Sequence, residues 1–79
     1  MERIEVINRL TVIFRKIFMD DSLVLTDDLT ANDVDRWDSL SHMILIAEIE
    51  KDLSIKFKLK DLNKMRNVGA MIDIILSKF

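Results

Sequence analysis

Apolar residues recur at helical spacing in three stretches of this chain, and that pattern limits the fold more than any other feature. Between Glu2 and Phe18, one helical face carries Val6, Ile7, Leu10, Ile13, Phe14, Ile17 and Phe18, and the other carries Asn8, Arg9, Arg15 and Lys16. Behind Asp38, the residues Leu45, Ile46, Ile49 and Leu53 fall at i, i+1, i+4 and i+8, a stripe of about 100° on a helical wheel. Behind Asn67, the residues Val68, Met71, Ile72, Ile75 and Phe79 recur at i, i+3, i+4, i+7 and i+11. Asp38 and Asn67 are both favourable N-cap residues, which makes Ser39 the first residue of the second helix. Leu53 to Phe57 alternates as a strand would, but a lone strand cannot pair its backbone, so Ile55 and Phe57 are expected to anchor a loop. Leu59, Leu62 and Met65 suit a short further helix. The expected fold is all-α: a small four-helix bundle of three main helices and one short one.

Met19 to Trp37 interrupts this pattern. It has no helical period and is rich in Asp, Thr and Asn, which bond locally to the backbone and compete with helix. A connection this long needs anchors in a compact fold. Leu23, Leu25, Leu29, Val34 and Trp37 are the candidates, and Thr30 and Asn32 can open a short helical turn near Asp33. The single glycine, Gly69, falls in the first turn of the last helix, where a close helix contact would explain it.

A length of 79 residues is read as a single domain, residues 1–79, and the absence of cysteine removes disulfides, Cys-based metal sites and a cysteine nucleophile. That usage fits a reducing cytoplasm. No apolar run approaches the length of a membrane span, and the start of the chain lacks a signal-peptide pattern. The net charge of −2 argues against a nucleic-acid partner. Charge is uneven, however. Asp20, Asp21, Asp27, Asp28, Asp33, Asp35 and Asp38 precede the second helix, whereas Lys56, Lys58, Lys60, Lys64 and Arg66 follow it. These are two solvated surfaces, or an acidic patch beside Ser39 that steers basic partners. A basic amphipathic first helix could lie on a membrane, but the same face is what a bundle core requires.

Chemistry concentrates at Trp37 to His42. A hydroxyl at a helix start lies near unpaired amides and a partial positive charge, so a phosphate attached to Ser39 would sit in a favourable field. His42 follows by three residues on the same helix face, which invites a Ser–His dyad. No Gly-x-Ser-x-Gly elbow or oxyanion hole accompanies it, so packing near Ser39 is the expected role, with a hydrogen bond to a phosphate when protonated. Trp37, directly before the cap, reads as a hydrophobic staple or as a partner contact. Adjacent acids such as Asp27 and Asp28 lack a framework for catalysis, and Asp33 and Asp35 lack the rest of a calcium loop. Leu40, Met43, Ile44 and Ala47 form an apolar strip pointing away from the Leu45–Leu53 stripe.

Asp38-Ser39-Leu40 at the head of a helix, in a chain of this length, resembles the acyl carrier proteins. The resemblance runs across nearly the whole chain, most clearly from Asp28 to Ile75, and includes the long loop between helices 1 and 2. Trp37 to His42 is similar to the free-standing carriers that read Trp-Asp-Ser-Leu-x-His. The resemblance implies a carrier and not an enzyme. It implies a covalent 4′-phosphopantetheine arm, taken from coenzyme A and attached to Ser39, with Asp38, Leu40 and His42 around it. The arm would hold an acyl group as a thioester for fatty acid, polyketide or surface-glycan biosynthesis. The implied partners are a phosphopantetheinyl transferase and acyl-loading, acyl-transfer or condensing enzymes, meeting Trp37, Leu40, Met43, Ile44, Ala47 and Glu48 of a cytoplasmic monomer. Common fatty-acid carriers place acids just after the serine, whereas here Ser41, His42, Met43 and Ile44 stand there, which favours a carrier dedicated to one pathway. The rivals are a peptidyl or aminoacyl carrier, which often reads Gly-Gly-x-Ser, and a helical adaptor without a prosthetic group.

Overall fold

The structure, a computed structural model, describes residues 1–79. Its elements are α1 (Arg3–Phe18), a 3-10 turn (Ala31–Asp33), α2 (Ser39–Leu53), α3 (Leu59–Leu62) and α4 (Val68–Leu76). There is no strand: Ile55 is buried and Phe57 packs on the core from a loop, as their alternation without a partner requires. The architecture is the small helical bundle that the periodicity predicts.

Each long helix buries the stripe that the spacing marks. Val6, Leu10 and Phe14 of α1, Leu45 and Ile49 of α2, and Val68, Met71 and Ile75 of α4 are fully buried. They belong to one cluster of 15 buried residues that also takes in Val34, Trp37 and Ile55 from the connections. The helices start where capping chemistry allows. The Asn67 side chain accepts the Ala70 amide at 2.8 Å, and that of Thr30 accepts the Asn32 amide at 3.3 Å. The helices α1 and α2 end at Met19 and Ser54, both in the left-handed conformation with φ of 53° and 56°.

The long connection before α2 is held at both sides. Arg15 Nε of α1 donates to the Leu23 carbonyl at 2.9 Å. At the opposite side the carbonyls of Leu29 and Asp27 accept the first amides of α4, from Val68 at 3.0 Å and from Gly69 at 2.9 Å. Arg3 adds ion pairs to Asp27 at 3.0 Å and to Asp73 at 2.9 Å. Leu23, Leu25 and Leu29 pack partly buried beneath this frame. A stretch without regular structure therefore keeps one path because α1 and α4 supply the partners that its own backbone lacks.

Three expectations need correction. Gly69 makes its close approach to the loop at Asp27, not to another helix. Phe79 is 56% exposed, because α4 ends at Leu76 and the helical register does not reach it. Leu59 is 75% exposed. Its single-turn helix is instead held through Asp61, whose carboxylate takes the Lys58 amide at 2.8 Å and Lys78 Nζ at 2.6 Å.

Candidate functional site

The start of α2 is built by reciprocal hydrogen bonds. The Asp38 carboxylate accepts the Ser41 amide at 2.9 Å, and Ser41 Oγ accepts the Asp38 amide at 2.8 Å. Ser41 Oγ also donates to the Arg36 carbonyl at 2.7 Å, across a bend where Arg36 has φ of 72°. Accepting amides holds the Asp38 carboxyl below the ordinary aspartate range, first through Ser41. The cap is thus a charged one, fixed by its neighbours.

This bend turns Trp37 inward. Its ring meets Phe14 edge-on, with centroids 5.3 Å apart, and lies 5.8 Å from Phe18. Trp37 is 8% exposed, so its expected place on a partner surface is corrected: it is a core residue. The expected staple contact is present, because the indole stacks on His42, the fourth residue of α2, at 6.1 Å and 17°. Trp37 Nε1 also donates to His42 Nδ1 at 3.1 Å. Burial pushes the imidazole below its ordinary pKa, and Nδ1 is already an acceptor. Burial thus favours the neutral form of His42 over the protonated form in which a hydrogen bond to a phosphate is expected.

Ser39 is exposed, and its hydroxyl makes no hydrogen bond within the protein, in contrast to that of Ser41. It stands at the edge of a cleft of about 500 Å³ lined by Ala31, Trp37, Asp38, Ser39, His42, Met43, Met65 and Arg66. The cleft is apolar at Met43 and Met65 and has one cation, Arg66, in its lining. Met65 and Arg66 escape the sequence reading because one is assigned to the α3 stripe and the other to a basic run. The Ser41 cap also escapes it, although an N-cap Asp with Ser three residues on is a visible signal.

The remaining candidates lie along the exposed side of α2. Leu40, Met43 and Ile44 are 74%, 52% and 50% exposed, and Ala47 is exposed beside them. Glu48 is half-buried, with its carboxylate 3.9 Å from Lys16 Nζ of α1. No helix is long and apolar enough to cross a membrane, and no group of three or more His, Cys, Asp or Glu residues gathers as a metal site.

No family model matches the chain, and no curated protein does. Among solved structures, it matches the solution NMR structure of a holo acyl carrier protein from Geobacter metallireducens, with 51% sequence identity and a TM-score of 0.86. The match covers 91% of this chain and 83% of that one. A bundle with an exposed serine at the head of its second helix, together with that identity, places the chain among the acyl carrier proteins, and it belongs to that family. Its class is that of carriers rather than catalysts.

Proposed function

We propose that Ser39 Oγ is the attachment atom for a 4′-phosphopantetheine group and that residues 1–79 act as one acyl carrier domain. The observation that carries this reading is the free, exposed Ser39 hydroxyl at the start of α2, on the rim of the cleft. When bound, the group supplies a terminal thiol that holds an acyl chain as a thioester. The residues present fit it. The first turn of α2 favours a phosphodiester by its amides and dipole, and Arg66 adds a positive charge across the cleft. Met43 and Met65 offer an adaptable apolar wall. Asp38 acts indirectly, by holding the Ser41 amide and so the orientation of the turn that displays Ser39.

Attachment requires a phosphopantetheinyl transferase, and use of the thioester requires acyl-loading and acyl-transfer or condensing enzymes. The strip of Leu40, Met43, Ile44 and Ala47 is the surface we assign to these partners in the cytoplasm. Its apolar character supports a carrier dedicated to one pathway among fatty acid, polyketide and surface-glycan assembly, in which the partner buries Ile44. Arg36-Trp37-Asp38 before the serine, in place of Gly-Gly-x, speaks for acyl over aminoacyl cargo.

The test is a loading panel. The protein is incubated with coenzyme A and a transferase of broad scope, then offered to acyl and aminoacyl ligases, with intact mass as readout. Gain of one phosphopantetheine followed by acylation supports the reading. Aminoacylation alone would make it an aminoacyl carrier, and no mass gain would make it an adaptor.

A further inference from the structure

The two ring nitrogens of His42 have different fates. Nδ1 accepts the indole N–H of Trp37 at 3.1 Å. An indole N–H can only donate, so Nδ1 keeps its lone pair and the neutral ring carries its proton on Nε2. Trp37 is itself 8% exposed and packed against Phe14 and Phe18. The core therefore fixes both the position and the tautomer of His42.

Nε2 has no protein partner, yet no polar side-chain atom in the molecule is sealed from solvent without a hydrogen bond. The Nε2 edge is consequently the open edge of a half-buried ring, and His42 lines the same cleft as Ser39. At i+3 on one helix the two side chains are neighbours. A donor positioned by a core contact and left unpaired beside an attachment point is prepared for an acceptor, because less side-chain freedom remains to be lost on binding.

We propose that His42 is a binding residue for the prosthetic group, its Nε2–H donating to a phosphate oxygen of the diester on Ser39, with Trp37 as the positioning residue that fixes the ring. This rests on the attachment reading above. Phosphate is the acceptor because it is the first one along the group from Ser39 Oγ. The contact is a neutral hydrogen bond, so charge balance for the phosphate falls to Arg66 and the α2 dipole.

The test is nuclear magnetic resonance on the full chain before and after attachment, with intact mass taken on the same samples. Long-range proton–nitrogen spectra read the His42 tautomer, and phosphorus spectra read the diester. The expected result is the Nε2–H tautomer in both forms, with Nε2 displaced and its proton exchanging more slowly in the holo form. His42→Leu is expected to move the phosphorus line, and His42→Gln, which keeps a donor, to return it part of the way. Trp37→Phe, which removes the N–H together with the pyrrole part of the indole, is expected to mix the tautomers. An Nδ1–H tautomer, or identical His42 spectra in apo and holo protein with the added mass on Ser39, overturns the inference and leaves the attachment reading intact. A protein that gains no mass overturns both.

Discussion

The Gly69 amide donates to the Asp27 carbonyl at 2.9 Å, and a Cβ built on Gly69 would stand 3.0 Å from that same oxygen. It would also lie 3.1 Å from the Asp27 Cβ. Two opposed effects meet at this position. Alanine is favoured over glycine inside a helix by about 1 kcal/mol. Crowding a packed site costs roughly 1–3 kcal/mol, and the obstruction here is loop backbone, which cannot rotate aside as a side chain can. Gly69→Ala is expected to lower stability by about 1 kcal/mol net, read as a fall in the urea midpoint. A raised midpoint would show that the loop yields.

Leu45→Ala and Ile49→Ala are each expected to cost about 2–5 kcal/mol, because both side chains are fully buried at the centre of the bundle. For a domain of this size that removes much of the total stability. Denaturant midpoints close to wild type would mean that α2 is rotated from its described phase.

Ile44→Glu separates fold from recognition. Ile44 is 50% exposed, so stability should change by no more than roughly 0.5 kcal/mol. The native loading enzyme should be weakened by about 1–2 kcal/mol if it buries Ile44, whereas general fatty-acid enzymes should be affected less. Paired rate measurements on wild type and variant decide the matter. Equal rates with both enzymes would remove the reason for assigning a dedicated pathway.

Stability should also depend on pH through His42. Its folded pKa is lowered, from an ordinary value of 6.5, by burial. Below that value the unfolded chain binds the proton more readily than the fold does. The contribution is thus complete above an unfolded pKa of about 6.5 and is lost as pH falls through the folded value. Urea midpoints measured from about pH 7.5 down to 5.5 should fall for wild type and fall less for His42→Gln. Superimposable profiles would show that the ring accepts a proton as easily folded as unfolded.

Much of this fold is legible because it is local. Helical spacing marks Leu10, Phe14, Leu45, Ile49 and Ile72 for burial, and Asp38, Thr30 and Asn67 announce their helix starts by residue type. The exposed Ser39 follows from its place just after a cap. What stays hidden depends on contacts between distant segments. Nothing near Gly69 in sequence reveals that Asp27 lies against it. The inward turn of Trp37 depends on Phe14 and Phe18, about twenty residues earlier along the chain by simple counting. Met65 and Arg66 reach the cleft only because the loop after α3 carries them there. Periodicity also cannot say where a helix stops, which is why Phe79 carries a core spacing and yet lies in solvent.

The central claim is that Ser39, and not its neighbour Ser41, receives the prosthetic group. Ser41 Oγ is engaged by the Asp38 amide and the Arg36 carbonyl, while Ser39 Oγ is free. Ser41→Ala should therefore weaken the cap, costing about 1 kcal/mol, and still accept the group. Ser39→Ala should remain folded, with a change of at most about 0.5 kcal/mol, and accept nothing. The most direct measurement is the intact mass of wild type and both variants after incubation with coenzyme A and transferase. One added phosphopantetheine on wild type and Ser41→Ala, and none on a folded Ser39→Ala, is the expected result. A Ser39→Ala protein that gains the mass contradicts the account.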